Sequence, residues 1–257
     1  MDHIREPGFL FAQNSTFLHH AGLMKAIDQL KDIPVLGTSD IHIWGAEVPR
    51  CLGKLQALEK VLCREEREKA DRFRRETDRN SSIVARGALR ILLAAYTGYA
   101  APEISFGYSK NGKPFLVSPA SGAIGFNVSH SGDWVVLAFG RERQVGVDVE
   151  KIRREMDVLS IASRYFTPEE TRRIEAAEDV HGLFFHHWAR KEAYVKAIGS
   201  GLFRELSSFS VPNEEGEKDG WFFQRLEAGS RYAAAVVTDK AIGGMPCFDF
   251  GGLNWVS

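Results

Sequence analysis

The sequence has few cysteines, and it has no excess of either charge. Its three cysteines, Cys51, Cys63 and Cys247, lie far apart and form no Cys-x-x-Cys pair. This spacing argues against a disulfide framework and a structural zinc site, so we expect reduced thiols in a cytoplasmic protein. The 257 residues carry 33 Lys and Arg against 34 Asp and Glu, a formal net charge of -1. That balance argues against a protein that coats nucleic acid.

Long hydrophobic runs are missing as well. The longest apolar stretches, such as Ile91–Tyr96 and Trp134–Phe139, are far shorter than the roughly 20 residues that cross a bilayer. Met1–Glu6 lacks the basic and then apolar pattern of a secretory signal, so we expect a soluble protein with no membrane partner. The 17 Phe and 5 Trp are too many for a disordered chain.

The first part of the chain predicts a strand followed by helices. We treat residues 1–38 as an N-terminal extension. Alternating residues at Asp40–Val48 predict a half-buried strand, and apolar residues at three- and four-residue steps predict a helix after it. From Arg64 to Arg79, 13 of 16 residues are charged, which is typical of a solvated helix. Ser81 or Ser82 is a candidate N-cap for a further helix that ends near Gly98.

The middle of the chain predicts antiparallel strands. The pair Asn111-Gly112 marks a hairpin turn. Ile124–Val128 and Trp134–Phe139 are expected to be strands joined by a polar turn at Ser129–Asp133, and Val145–Val149 alternates as a third strand.

The second half repeats this mixture of helices and strands. Thr167 followed by Pro-Glu-Glu is a strong helix start, and a long helix is expected from about Val180 to Ile198, with its end at Gly199. Three strands should follow, at Ser207–Val211, Trp221–Leu226 and Arg231–Val237. Because helices and strands are grouped rather than strictly alternating, the fold class is α+β rather than a doubly wound sheet.

Two carboxylates share one face of the predicted third strand. Asp148 and Glu150 are two positions apart, so their side chains point the same way. Adjacent carboxylates repel each other unless a cation lies between them, and Mg²⁺ prefers such oxygen ligands. The pattern is short and common, however, and its ordinary interpretation is the polar outer face of an amphipathic strand.

A third carboxylate is centred on the apolar side of the long helix. Turning about 100° per residue, Phe185, Trp188 and Val195 fall within about 60° of Glu192, and Lys196 follows one turn later on the same face. A buried carboxylate needs a partner. That partner is either Lys196, in a partly buried ion pair, or a cation shared with the strand carboxylates, which leaves Lys196 for an anionic ligand.

The segment from Asn127 to Gly132 is rich in hydrogen-bond donors. Hydroxyls, an imidazole and backbone amides in one turn can bind phosphate, although the same residues also occur in ordinary turns. Catalysis by a serine and His130 is conceivable, but adjacent residues rarely reach each other in triad geometry.

Four motifs in this order resemble the Sfp-type 4′-phosphopantetheinyl transferases. They are Asn-Val-Ser-His-Ser-Gly from Asn127, Gly-Val-Asp-Val-Glu from Gly146, Phe-Thr-Pro-Glu-Glu from Phe166, and Trp-Ala-Arg-Lys-Glu-Ala-Tyr-Val-Lys-Ala-Ile-Gly from Trp188. The resemblance implies two similar α+β halves related by a pseudo-two-fold axis, here 39–144 and 145–257. It also implies Mg²⁺-dependent transfer of 4′-phosphopantetheine from coenzyme A to a serine of an acyl or peptidyl carrier protein, releasing adenosine 3′,5′-bisphosphate. A monomer without nucleic-acid partners is expected.

The same resemblance assigns roles to individual residues. It implies metal binding by Asp148, Glu150 and Glu192, with Glu192 as the base that takes the serine proton, directly or through a metal-bound water. It places Lys196 at the pyrophosphate, as a catalytic and coenzyme A-binding residue. The other residues that it implies at coenzyme A are Lys69, Arg86, Lys110, Lys113, Asn127, Ser129 and His130.

Two features depart from the family pattern, and two other functions are open. Residues 1–38 match nothing in the family, and Glu65 and Glu66 stand where members carry basic residues. A Mg²⁺-dependent nuclease or phosphohydrolase could use the same carboxylates and Lys196, but the neutral net charge and the donor-rich turn do not favour it. A non-catalytic coenzyme A or carrier-binding module would leave the carboxylate cluster without a role.

Overall fold

The computed structural model describes residues 35–118, 123–200 and 205–252. Most of the predicted N-terminal extension, residues 1–34, lies outside these ranges. Within them, no helix is long and apolar enough to cross a membrane. Mixed helices and antiparallel strands confirm the α+β class.

Two four-stranded sheets form the centre of the molecule. The first has the order β10-β1-β5-β4 and the second β6-β9-β8-β7, while β2 and β3 form a separate hairpin. The strands are β1 Ile41–Glu47, β2 Ser105–Tyr108, β3 Pro114–Ser118, β4 Ile124–Ser131, β5 Trp134–Arg141, β6 Val145–Lys151, β7 Gly216–Lys218, β8 Trp221–Leu226, β9 Tyr232–Thr238 and β10 Cys247–Asp249.

Helices cover the outer face of each sheet. They are α1 Val48–Cys51, α2 Leu55–Lys60, α3 Arg64–Asp71, α4 Glu76–Thr97, α5 Val158–Tyr165, α6 Pro168–Glu175 and α7 Val180–Ile198, with 3-10 turns at Leu52–Lys54, Ala101–Glu103 and Leu206–Ser208. α4 packs in the core of the first sheet, and α7 packs on β6 and β9 of the second.

A third apolar cluster lies between the two sheets. Ile41 and Ile43 of β1 contribute to it from one side, and Val145, Val147 and Val149 of β6 from the other. β1 is therefore buried on both faces, since its alternate residues face the core under α4. The prediction of a half-buried strand was wrong at this point, because a second sheet covers the face that an isolated sheet would expose to water.

The C-terminal ends of the two long helices were predicted correctly. Gly98 and Gly199 follow α4 and α7 with φ of 75° and 68°, the left-handed conformation that glycine adopts without a Cβ penalty. The N-cap prediction for α4 was wrong. The helix begins at Glu76, and the Ser81 hydroxyl donates to the Thr77 carbonyl within it.

Two other predictions were wrong, and a strand was missed. The helix expected after β1 is broken into α1, a 3-10 turn and α2. Residues 207–211 form no strand, because a 3-10 turn occupies Leu206–Ser208. β10, missed in the sequence, pairs in parallel with β1, so residues 247–249 belong to the first sheet. The division at residues 144 and 145 and the pseudo-two-fold axis stay predictions.

Candidate active site

The second sheet and α7 come unusually close at Gly146. A Cβ at this position would collide with the carbonyl oxygen of Ala193 and the backbone nitrogen of Ala197. Glycine therefore allows β6 to lie directly against the helix. The even-numbered residues of β6 face α7, which places Asp148 opposite the helix residues Glu192 and Lys196.

Asp148 is the centre of the polar cluster that results. Its side chain is 4% exposed, and its Oδ1 accepts hydrogen bonds from Lys196 Nζ at 2.6 Å and from Ser129 Oγ at 2.7 Å. Its Oδ2 is buried with no hydrogen-bond partner in the described part of the chain. A buried carboxylate oxygen without a donor is costly, so Oδ2 is suited to bind a cation or a ligand group.

The ion pair expected between Lys196 and Glu192 was wrong. The Lys196 ammonium group forms an ion pair with Asp148 instead, and its role at an anionic ligand stays a prediction. The Nζ also lies 3.0 Å from Ser129 Oγ. The helical spacing of Glu192 and Lys196 could not reveal this contact, because the partner comes from a different strand.

The charge of Asp148 affects the pKa values of the two glutamates. Burial and then the Asp148 carboxylate raise the pKa of Glu150 to about 7, and the same two causes in the same order raise the pKa of Glu192. Asp148 therefore lies close enough to both glutamates to disfavour their ionised forms. Among the described residues, no group of three or more His, Cys, Asp or Glu side chains is already arranged to hold a metal ion.

The predicted turn at Ser129–Asp133 is mostly strand. β4 continues to Ser131, and Gly132 with a φ of 57° begins the turn. Ser129 and Ser131 are alternate residues of this strand, so both side chains point toward β6. There the Ser129 hydroxyl donates to Asp148 and the Ser131 hydroxyl donates to Glu150. Ser129 and Ser131 therefore form a wall of the carboxylate cluster, and phosphate binding by this segment stays a prediction.

A large cavity of about 810 Å³ adjoins this cluster. α3, α4, the β2–β3 hairpin and β4 form its walls. Four of the residues predicted to contact coenzyme A line it: Lys69, Arg86, Asn127 and His130. Desolvation and then the positive charge of Lys196 lower the pKa of His130, which favours the neutral imidazole.

Two arginines that line the cavity share one acidic partner, Glu66. Glu66 accepts from Arg90 Nε at 2.6 Å and lies 3.4 Å from Arg86 Nε. Both guanidinium groups lie over the Phe106 ring, at 5.2 and 5.3 Å from its centroid. Arg90 is buried and donates to the carbonyls of Ala101 and Ile104. The acidic departure at position 66 is thus part of the wall that fixes Arg86.

Two predicted coenzyme A contacts lie elsewhere. Lys110 and Lys113 are not among the described residues that line the large cavity, although Pro114 beside them is. Lys113 Nζ instead donates to the carbonyls of Ala197 and Val145, at 2.7 and 3.2 Å. Burial lowers the pKa of Lys113 to about 8. Lys113 therefore binds the C-terminal end of α7 to the hairpin.

The residue before Glu192 is a buried cation that the helical spacing did not predict. Lys191 is fully buried and pairs with Glu170 at 2.9 Å, and its Nζ donates to the carbonyls of Leu206 and Phe209. Glu170 itself closes the capping box of α6 with Thr167. The capping box was readable in the sequence, whereas the partner of the same carboxylate on α7 depends on tertiary packing.

Comparisons with known proteins place this arrangement in a family. Residues 144–242 match the family described as the 4′-phosphopantetheinyl transferase superfamily, and residues 51–142 match the family described as 4′-phosphopantetheinyl transferase, N-terminal. The 4′-phosphopantetheinyl transferase HetI of Nostoc sp. is 31% identical over 207 residues, which cover 77% of this chain and 87% of that protein. This chain belongs to the 4′-phosphopantetheinyl transferase superfamily.

Two further relatives are transferases of Bacillus subtilis. A 4′-phosphopantetheinyl transferase of Bacillus subtilis is 34% identical, over 66% of this chain and 76% of that protein. The transferase Sfp of Bacillus subtilis strain 168 is 33% identical, over 57% of this chain and 64% of that protein. The expected resemblance to Sfp-type enzymes is confirmed. Neither family match lends support to the nuclease or to the non-catalytic module.

Proposed function

We propose that this transferase moves the 4′-phosphopantetheine group of coenzyme A to a serine hydroxyl of an acyl or peptidyl carrier protein. The leaving product is adenosine 3′,5′-bisphosphate. One observation carries the proposal: β4 joins the large cavity to the carboxylate cluster. Asn127 and His130 line the cavity, and Ser129 between them contacts Asp148 and Lys196. A nucleotide in the cavity can thus present its pyrophosphate to the cluster.

The reaction requires neutralisation of the pyrophosphate charge and an acceptor for the proton of the serine hydroxyl. A bond forms between the serine oxygen and the phosphorus that carries pantetheine, and the bond from that phosphorus to the bridging pyrophosphate oxygen breaks. Lys196 supplies positive charge at the phosphates. Glu192 takes the serine proton, and its raised pKa increases its proton affinity, as a general base requires.

The cavity has the chemistry of a site for a phosphorylated nucleotide. Lys69 and Arg86 provide positive charge for phosphate groups, and the neutral imidazole of His130 can donate or accept a hydrogen bond. Phe106 gives the wall an aromatic surface. Lys110 and Lys113 have no comparable support, because they lie outside the described lining of this cavity.

The donor set of the cluster fits Mg²⁺. Asp148, Glu150 and Glu192 offer only carboxylate oxygens, Asp148 Oδ2 has no other partner in the described part of the chain, and the repulsion among the three would fall with a cation present. When bound, Mg²⁺ supplies Lewis-acid stabilisation of the pyrophosphate. Asp148 and Glu150 would hold it from β6, and Glu192 from α7.

We place the enzyme in the cytoplasm as a monomer that does not bind nucleic acid. All three cysteines are free, which supports a reducing compartment. The net charge of -1 gives no general attraction for duplex nucleic acid. Light scattering after gel filtration tests the monomer directly, because a dimer would double the measured mass.

The test of function is intact mass spectrometry of a carrier protein. The apo form of the carrier is incubated with the enzyme, coenzyme A and Mg²⁺, and a carrier whose acceptor serine is replaced by alanine is the control. We expect the mass gain of one phosphopantetheine on the intact carrier and none on the control. No gain across fatty-acid, polyketide and peptide carriers would contradict the proposal.

A further inference from the structure

The edge strands of the two sheets lie side by side without a backbone ladder. β4 is the edge of the first sheet and pairs with β5, while β6 is the edge of the second and pairs with β9. β4 and β6 are nevertheless in close contact. An edge strand has backbone amides that need partners, so the amides of β6 that face β4 must be satisfied in another way.

Side chains of β4 satisfy them at regular intervals. Asn127 Oδ1 accepts from the amide of Val147 at 2.9 Å. Two residues further along each strand, Ser129 Oγ lies 3.4 Å from the amide of Val149. Ser131 Oγ then accepts from the amide of Lys151 at 3.1 Å. Three alternate residues of β4 thus bind three alternate amides of β6, in a side-chain ladder formed by Asn127, Ser129 and Ser131.

The two hydroxyls of the side-chain ladder also donate. Ser129 Oγ donates to Asp148 Oδ1 at 2.7 Å, and Ser131 Oγ donates to Glu150 Oε2 at 3.0 Å. A serine hydroxyl can accept and donate at the same time. Each serine therefore joins one β6 amide to the carboxylate of the residue before it, which restricts the rotation of that carboxylate.

We propose that Ser131 is a positioning residue that fixes Glu150 through this double contact. The inference rests on the proposed function, since it gives Glu150 its role at the metal. Ser131 is not among the described residues that line the coenzyme A cavity. Its loss should therefore weaken divalent-cation binding and lower kcat, while the KM for coenzyme A stays unchanged.

The experiment compares Ser131→Thr with Ser131→Val, which have nearly the same shape but differ in the hydroxyl. Ser131→Ala is a third variant. The control is Ser39→Ala, because Ser39 is exposed and its hydroxyl contacts the adjacent Asp40. Three quantities are measured on each full-length protein: amide hydrogen exchange at Lys151, Mn²⁺ affinity by electron paramagnetic resonance, and kcat with the KM for coenzyme A.

We expect the Lys151 amide of the valine and alanine variants to exchange about tenfold faster, as the loss of one hydrogen bond predicts. Mn²⁺ affinity and kcat should fall, and threonine should restore all three quantities toward wild type. Wild-type exchange and Mn²⁺ affinity in Ser131→Val would overturn the inference. A general loss of structure is recognised by faster exchange in β5 too. If wild-type protein binds Mn²⁺ but modifies no carrier, the proposed function fails, and the exchange and Mn²⁺ measurements still decide the role of Ser131.

Discussion

The Nζ of Lys196 on α7 lies 2.6 Å from Oδ1 of Asp148 on β6. This ion pair connects the helix and the strand that carry all three proposed metal carboxylates. The other oxygen of Asp148, Oδ2, is buried and has no hydrogen-bond partner in the described part of the chain. Asp148 thus has one oxygen in an ion pair and one oxygen that can bind a cation or a ligand group.

Replacing Lys196 by methionine tests this pair. Lys196→Met removes the cation but keeps the apolar stem, so Asp148 is left buried without its charge partner. We expect a loss of about 1–3 kcal/mol in the free energy of unfolding and a large fall in kcat. Urea unfolding and transfer kinetics measure the two effects. Lys60→Met, at an exposed position in α2, is the matched control, and equal effects of both variants would contradict the account.

The close approach of β6 and α7 predicts a strong effect of Gly146→Ala. The new Cβ would meet backbone atoms of Ala193 and Ala197 that cannot rotate away. We expect destabilisation of about 3 kcal/mol, at the upper end of overpacking effects, measured by urea unfolding. Gly53→Ala is the control, because no described atom beyond the neighbouring residues lies within 4 Å of the Cβ that alanine would add there. A neutral Gly146→Ala would show that helix and strand are not held at this distance.

The two lysines predicted to contact coenzyme A should behave differently. Lys69 lines the large cavity and Lys110 does not. We expect Lys69→Ala to raise the KM for coenzyme A about tenfold, through the loss of one charge-assisted contact, and Lys110→Ala to leave it unchanged. Steady-state kinetics with varied coenzyme A decide. A larger effect at Lys110 would mean that the hairpin, rather than α3, carries the basic contact.

A buried histidine on α7 should make the protein sensitive to acid. Burial lowers the pKa of His187 to about 4, and its side chain is fully buried with both ring nitrogens unpartnered among the described residues. A folded-state pKa below the unfolded value of about 6.5 means that stability is present above pH 6.5 and is lost as the pH falls toward 4.

His187→Leu should remove part of that loss. Between pH 7 and pH 4.5 the wild type should lose about 2 kcal/mol more stability than the variant, as measured by urea unfolding at both pH values. His186, whose pKa burial also lowers to about 4, keeps part of the dependence in the variant. An identical loss in both proteins would show that the pKa of His187 is the same in the folded and the unfolded state.

Local signals in the sequence predicted much of the fold. The limits of α7 follow from its apolar periodicity and from Gly199, and the start of α6 follows from the Thr167 capping box. These features depend on residues that are neighbours in the chain. β7 and β10 were missed because they have three residues each, too few to show an alternation.

The partners within the site could not be predicted in the same way. The alternation of β6 correctly placed Asp148 and Glu150 on one face, but it could not show that Ser129 and Lys196 both reach Asp148. That meeting depends on the contact between two sheets and on the space left by Gly146. Glu66 likewise appeared only as a departure from the family pattern, whereas in the fold it binds Arg86 and Arg90.

The most direct measurement is the rate of carrier modification by Glu192→Gln, followed by intact mass in the presence of coenzyme A and Mg²⁺. Wild type and the control Glu175→Gln, at an exposed position in α6, should convert the carrier fully. Glu192→Gln should be slower by about a hundredfold or more, the usual contribution of a general base, with unchanged circular dichroism. Transfer by Glu192→Gln at the wild-type rate would contradict the account.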